Sequence, residues 1–314
     1  MNHAQQSIEN PADYRNDRGG LILPLPATMP TTKLGRMDMK TWFITGASRG
    51  FGALIAKEAL AAGDAVVATA RNAQSVIDAL GEHPRLLAVD LDVTDEAQAH
   101  ATASAAIKRF GRIDVLLNNA GFGLLGAVEE ATAAEIEALY RTNVFGLLGV
   151  TRAILPHMRR QRSGHILNIS SVGGYQSGAG FGVYCSTKFA VEGLSEALHA
   201  ELAPLGIKVT VIEPGYFRTD FLDARSLTTS PTRIADYDAT AGTVREHAAA
   251  VSHNQPGDPA KLAPAVVALV ASENPPLRMP YGSDTVAAIE AKNAFVAGEL
   301  AQWRDAAVAT DFAV

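Results

Sequence analysis

The sequence predicts an α/β fold: one doubly wound domain of about seven parallel strands with helices on both faces. Three observations predict it. From residue 40 onward, short apolar runs alternate with longer amphipathic stretches. The short runs are continuously apolar instead of alternating, as expected for strands buried on both faces. A glycine-rich turn follows directly on the first of them.

The strands are expected at 41–45, 65–70, 86–90, 115–118, 165–170, 208–213 and 277–281. Helical periodicity places helices at 51–62, 96–110, 133–160, 184–203 and 259–272 between them. Spacers of helix length imply parallel crossovers. No internal repeat or Pro/Ser linker interrupts 40–282, which reads as a single domain, and 283–314 reads as one C-terminal helix. Residues 217–257 are rich in Arg, Asp, Thr and Ser and follow the sixth strand; a long segment there is expected to form a binding loop or lid.

Residues 1–39 differ in kind. They are polar and aperiodic, with the patch Leu21–Leu25 broken by Pro24, and they are expected to be a disordered extension. They lack the basic start and unbroken apolar segment of a signal peptide. Met37 and Met39 stand just before the first strand and are candidate translation starts.

Composition narrows the function classes. The 314 residues are 47% hydrophobic and 19% charged with net charge −6, which gives no electrostatic reason for a nucleic acid or anionic membrane partner. No apolar run approaches the ~18 residues needed to span a bilayer. Cys185 is the single cysteine, so no intrachain disulfide forms, and a cytoplasmic location is expected. The eight histidines show no metal spacing, and no metal is expected.

TWFITGASRGFG places glycines at 46, 50 and 52 where the first strand gives way to the first helix. Glycine lets the backbone turn tightly and approach a pyrophosphate, and the helix amino terminus supplies N–H groups and positive dipole. Tyr184 and Lys188 lie one helical turn apart and share a face, with Ser171 upstream. A free phenol has a pKa of about 10, and a neighbouring positive charge favours the phenolate.

These residues together resemble the short-chain dehydrogenase/reductase family. The turn is G-x-x-x-G-x-G, Asn118-Asn119-Ala120-Gly121 matches the family's NNAG segment, and Asn143 matches its helix asparagine. Ser171 with Tyr184-x-x-x-Lys188 matches its catalytic serine and YxxxK motif, and Pro214-Gly215 with Thr219 matches PG-x-x-x-T. The resemblance covers 41–219 nearly end to end and implies a Rossmann-type fold.

It also implies chemistry: an oxidoreductase interconverting a carbonyl and a secondary alcohol. Tyr184 would be the acid-base group, Lys188 would lower its pKa and hold the nicotinamide ribose, and Ser171 would bond the substrate oxygen. Asn143 would hold a water linking Lys188 to bulk. Gly46, Ser48, Arg49, Gly50, Phe51, Gly52, Asn119, Ala120, Gly121, Pro214, Gly215 and Thr219 would bind the cofactor, with Asp92 and Val93 at its adenine. NAD-specific members usually place an acid at the end of the second strand. Here that strand ends Ala70-Arg71, and Arg49 precedes the second glycine, so NADP(H) is expected over NAD(H).

The substrate is less defined. Phe122, Leu124, Leu125, Tyr175, Phe181, Tyr216, Phe217 and Phe221 either line an apolar pocket or pack the core. The resemblance implies a homodimer or homotetramer built on helices 133–160 and 184–203. Two other readings compete with this one. A non-catalytic NADP sensor or scaffold on the same fold would tend to lose the tyrosine or lysine. A serine hydrolase would use Ser48 in Gly46-Ala47-Ser48-Arg49-Gly50, but its nucleophile turn normally follows several strands, not the first.

Overall fold

The computed structural model describes residues 39–312. The expectations for the amino-terminal extension and a start at Met37 lie outside the described residues; Met39 is described and exposed.

The chain begins with β1 (Thr41–Ile44), α1 (Gly50–Ala61), β2 (Ala65–Ala70), α2 (Ala73–Leu80) and β3 (Leu86–Asp90). It continues through α3 (Glu96–Phe110), β4 (Val115–Asn118), β5 (Gly123–Leu125), α4 (Ala133–Tyr140) and α5 (Leu147–Gln161). Then come β6 (Gly164–Ile169), α6 (Gly182–Leu202), β7 (Ile207–Pro214) and β8 (Leu227–Thr229). The last elements are α7 (Thr243–Val251), α8 (Pro259–Ala271), β9 (Arg278–Tyr281) and α9 (Ser283–Val308).

Seven strands form one parallel sheet in the order β3-β2-β1-β4-β6-β7-β9. The order reverses between β1 and β4, so a crevice opens beyond their carboxyl ends, the usual ligand position in such sheets. The turns at Gly46, Asn119, Ser171 and Gly215 all follow strands of this sheet on that edge.

Strand alternation divides the core into two layers. Trp42, Ile44, Val66, Ala68 and Leu117 face α1 and α8, packing with Ile55, Ala59, Leu262 and Val266. Phe43, Val67, Leu116 and Ile166 face the opposite layer, packing with Ala99, Val150, Ile154 and Met158. The central strands β1, β2 and β4 are therefore apolar at successive positions because both faces are covered. Asp64 fixes the start of the sheet by accepting from Lys40 N (2.9 Å) and Trp42 Nε1 (2.8 Å).

The expected helix over 133–160 is a correction. Arg141–Gly146 is a π-helical stretch between α4 and α5. It buries Asn143, Val144 and Gly146, and a side chain on Gly146 would run into Val93. A widened turn of this kind is a recurring feature of functional sites.

Residues 217–257 also hold more structure than their composition suggests. β8 pairs in parallel with β5, joining Gly123–Leu125 to Leu227–Thr229, and α7 lies behind them. The segment is pinned by a buried ion pair between Arg245 and Glu130. Glu130 also accepts from Ala127 N (2.7 Å) and Ile234 N (3.0 Å), and these hydrogen bonds hold its carboxyl below the usual range. α2 was not anticipated; Asn72 caps it by accepting from Gln74 N. α9 is buried only near its start, and Phe295, Leu300 and Trp303 are exposed. No helix among the described residues is long and apolar enough to cross a membrane.

Candidate active site

One cavity of about 1260 Å³ opens at the crevice and brings nearly all of the sequence-predicted residues together. Gly46, Ser48, Arg49, Gly50 and Phe51 line it from the turn after β1, and Arg71, Asp92 and Val93 from the ends of β2 and β3. Asn119, Ala120 and Gly121 contribute from the turn after β4, and Ser171, Tyr184 and Lys188 from β6 and α6. Pro214, Gly215 and Thr219 complete the wall.

Gly52 and Asn143 do not line the cavity; they stand behind it. A methyl on Gly52 would strike the Gly46 carbonyl and lie 2.6 Å from Asn119 Nδ2. Asn119 Nδ2 donates to Thr45 O and Gly46 O, both at 2.9 Å, so the asparagine clamps the glycine turn from behind. Gly46 has φ +65, a left-handed conformation that favours glycine. α1 begins without a side-chain cap, Arg49 being extended, so its first N–H groups face the crevice uncovered by a cap.

Asn143 is 2% exposed, and its amide is fully engaged. Oδ1 accepts from Phe122 N (3.1 Å), while Nδ2 donates to Phe122 O (2.9 Å) and Thr187 Oγ1 (3.2 Å). It thus joins the turn after β4 to α6. Asn143 and Lys188 converge on Gly121, where a methyl would lie 3.1 Å from Asn143 Oδ1 and 3.9 Å from Lys188 Nζ.

Tyr184 is buried between Phe181 and Phe221, whose ring centres lie 6.1 and 5.5 Å from its own. The Ser171 side chain lowers the phenol's pKa, but burial outweighs this and pushes it above its ordinary value. That corrects the expectation of a lowered pKa in this state. Burial is the physical reason, and Lys188 Nζ donates to Ile169 O at 2.8 Å while lying 5.8 Å from the Tyr184 ring centre. Burial brings the Lys188 pKa itself down to about 8, with Glu192 acting in the opposite sense. Ser171 Oγ accepts from Gly173 N at 3.0 Å, which fixes its rotamer at the head of the following turn.

The two arginines are placed differently. Arg49 Nη2 donates to Arg225 O (2.7 Å) and Ser226 Oγ (2.9 Å), tying the glycine turn to the loop after β7. Arg71 is exposed on the cavity rim and draws down the Asp92 carboxyl, whose largest stabilisation is a hydrogen bond from the Thr94 backbone. Thr219 Oγ1 accepts from Phe221 N, and Phe217 packs edge-on against Phe51 at 5.5 Å.

Some residues were missed in the sequence. Asp284, in the first turn of α9, accepts from Tyr216 N at 2.7 Å and fills the space a side chain on Gly215 would need. Cys185 is buried yet lines the cavity, and burial pushes its thiol up. Asp220, Asp223 and His253 come within 4.8 Å of one another among the described residues, but His253 pairs with Asp223 and Arg225 with Asp220. Those pairings account for the cluster.

Comparison with known proteins agrees with this geometry. A family model described as short chain dehydrogenase matches residues 40–229. Oxidoreductase BOA17 of Botryotinia fuckeliana is 38% identical over 273 residues, covering 86% of this chain and 99% of that protein. A 3-ketodihydrosphingosine reductase of Bacteroides thetaiotaomicron is 39% identical over 247 residues, covering 78% and 89%. Among solved structures, a short-chain dehydrogenase from Streptomyces avermitilis superposes with TM-score 0.81 at 43% identity, covering 88% of this chain and 99% of that one. A Burkholderia phymatum family member in complex with NAD gives 0.71 at 26% identity, covering 81% and 92%. ElxO with NADP bound gives 0.66 at 26%, covering 79% and 99%. The glycine turn, the serine, tyrosine and lysine at the crevice, and this similarity across the domain lead to one conclusion: the chain belongs to the short-chain dehydrogenase/reductase family of oxidoreductases.

Proposed function

We propose that this protein is an NADP(H)-dependent oxidoreductase interconverting a carbonyl and a secondary alcohol on a hydrophobic small molecule. The observation that carries the proposal is Tyr184, with Ser171 favouring its phenolate and Lys188 Nζ 5.8 Å from its ring, on the wall of a cavity that also holds the glycine turn.

The cradle fits a dinucleotide. Gly52 leaves no room for a side chain, Gly46 adopts a positive φ, and α1 presents an uncapped amino terminus where a pyrophosphate would bind. Gly46 through Phe51 would hold the pyrophosphate, Asp92 the adenine, and Lys188 the nicotinamide ribose. Thr219 and the backbone at Pro214-Gly215 would hold the carboxamide. When bound, the nicotinamide supplies or accepts the hydride. Solved relatives carrying NAD and NADP support the cofactor class.

Tyr184 gives its proton to the carbonyl oxygen in reduction and takes one back in oxidation. Ser171 holds that oxygen where negative charge develops, an interaction strengthened by exclusion of water. Lys188, charged close to neutrality, favours the phenolate as the proton leaves. Asn143 holds the Gly121–Phe122 turn against α6 and keeps Lys188 in place. Arg71, on the rim with no acid at the end of β2, supports a 2′-phosphate and hence NADP(H). Phe122, Phe181, Phe221, Leu222 and Val244 line the substrate side and favour an apolar molecule. The 3-ketodihydrosphingosine reductase relative supports a ketone as substrate class. Phe145 and Phe189, exposed beside α5 and on α6, support a homodimer or homotetramer. The single, buried cysteine supports a cytoplasmic location.

The test is NADPH oxidation against a panel of ketones and aldehydes, parent beside Tyr184→Phe. Equal rates in the two would overturn the role of Tyr184. NADPH binding with no turnover of any carbonyl would favour a sensor over an enzyme.

A further inference from the structure

Behind the site, outside the cavity, lies a group of charges that the proposed chemistry does not use. Glu213 ends its run on β7 immediately before Pro214-Gly215 and is fully buried. Neither of its carboxylate oxygens receives a hydrogen bond from any N–H or hydroxyl of the described chain. Glu192, on α6 one turn beyond Lys188, is 6% exposed. The two carboxyl groups share one neighbour, Arg278 Nε, and the charge of Glu192 disfavours ionisation of Glu213.

The other charges around the pair cannot offset that repulsion. From β9, Arg278 Nε lies 3.0 Å from Glu192 Oε2 and 3.5 Å from Glu213 Oε1, and Nη2 is taken by Glu196 on α6. One guanidinium thus faces three carboxyl groups. Lys188, one turn back on α6, feels the charge of Glu192 but donates its hydrogen bond to Ile169 O. A buried carboxylate with no donor is costly, and two close together cannot both ionise cheaply.

The pair also touches the catalytic turn. Ser170, the residue before Ser171, faces Glu192 with its buried hydroxyl. Gly174, in the turn Val172–Gly174, has no space for a side chain because Ser170 Oγ and Glu192 Oε1 occupy it, the latter 3.1 Å from where a methyl would stand. One end of the pair therefore seats the Ser171 turn and the other precedes the Pro214-Gly215 segment.

We infer that Glu192 and Glu213 share a single proton and, as a singly protonated pair, are positioning residues that seat the Ser171 turn and the Pro214-Gly215 segment. This inference rests on the proposed reaction for its consequence but not for its proton. Burial, then the charge of Glu192, pushes the Glu213 carboxyl up to about 7. Raising the pH through that value leaves Glu192, Glu196 and Glu213 ionised against Arg278 alone, and the two segments they seat separate.

The test uses the full-length protein and two measurements. Infrared spectroscopy of the parent at about pH 6 should show a protonated-carboxyl stretch that fades by about pH 8 and is missing from Glu213→Gln. Fluorescence titration with NADPH should show the parent's Kd rising several-fold over that interval. In Glu213→Gln, whose amide donates permanently to Glu192, Kd should stay within about twofold across it. Glu192→Gln serves as the second variant should Glu213→Gln fail to fold, with the same flattened profile expected. Absence of the carboxyl band overturns the shared proton, and equal pH slopes in parent and variant overturn the positioning role. Failure of the parent to bind NADPH at any pH counts instead against the proposed cofactor, since the infrared band does not depend on it.

Discussion

Lys188 Nζ lies 5.8 Å from the centre of the Tyr184 ring while donating to the carbonyl of Ile169. In this geometry burial controls the phenol, and its pKa stands above the ordinary value. The proton is therefore on Tyr184 at neutral pH, as carbonyl reduction requires. Tyr184→Phe removes that proton and should cut kcat by about 10²- to 10⁴-fold. Cofactor affinity should change little, measured by fluorescence titration, because the ring stays between Phe181 and Phe221.

Arg71 is an exposed cation on the rim whose charge acts on Asp92. Arg71→Asp should weaken NADPH by about tenfold or more relative to NADH, a charged hydrogen bond contributing about 1.5 kcal/mol or more. An unchanged NADPH:NADH ratio of Kd values would refute the preference for the phosphorylated cofactor.

Gly52 lies against the Gly46 carbonyl and Asn119 Nδ2 with no space for a methyl. Gly52→Ala should push the clamped turn outward, lower thermal stability by about 1–3 kcal/mol and weaken cofactor binding. Gly63 is the control: nothing stands within 4 Å of its side-chain position. Gly63→Ala should leave cofactor binding unchanged.

His165 is buried in β6, its ring bonded to Thr210 at 2.9 Å, and burial brings its pKa down to about 3. A depressed histidine binds its proton in the unfolded chain first. Its contribution to stability is therefore complete above about pH 6.5 and is lost as the pH falls toward 3. His165→Gln should flatten that acid limb in melting experiments at successive pH values. Melting curves with the same slope as the parent would contradict it.

Arg245 and Glu130 form the buried pair that pins 217–257. Arg245→Met leaves Glu130 with its two backbone donors but frees α7. The expected outcome is faster limited proteolysis within 217–257 and a raised KM with little change in kcat. Unaltered proteolysis would show that β5–β8 pairing alone holds the segment.

Much of the site could be read from the sequence because its parts are local. The glycines at 46, 50 and 52 report a backbone that must turn and approach closely. Tyr184 and Lys188 share a helical face because four residues make about one turn. Asn143 was identified, but not the π-helical stretch that carries it, since a single extra residue in a turn leaves the apolar spacing of 133–160 almost unchanged. The β5–β8 pair was invisible because Gly123–Leu125 and Leu227–Thr229 are three residues each and about a hundred positions apart.

By itself the sequence determined the doubly wound fold, the family and the residues at the crevice. Continuous apolar runs, helix-length spacers and glycine turns each act over a few residues, and those constraints are written in local order. Only the tertiary structure decided which charges meet. It turned Arg49 toward Arg225 and Ser226, set Asp284 beneath Gly215, and brought Glu192, Glu196, Glu213 and Arg278 together from α6, β7 and β9. The physical reason is that electrostatics and desolvation depend on distance and burial in space, and residues far apart in the chain acquire both only when the sheet has formed.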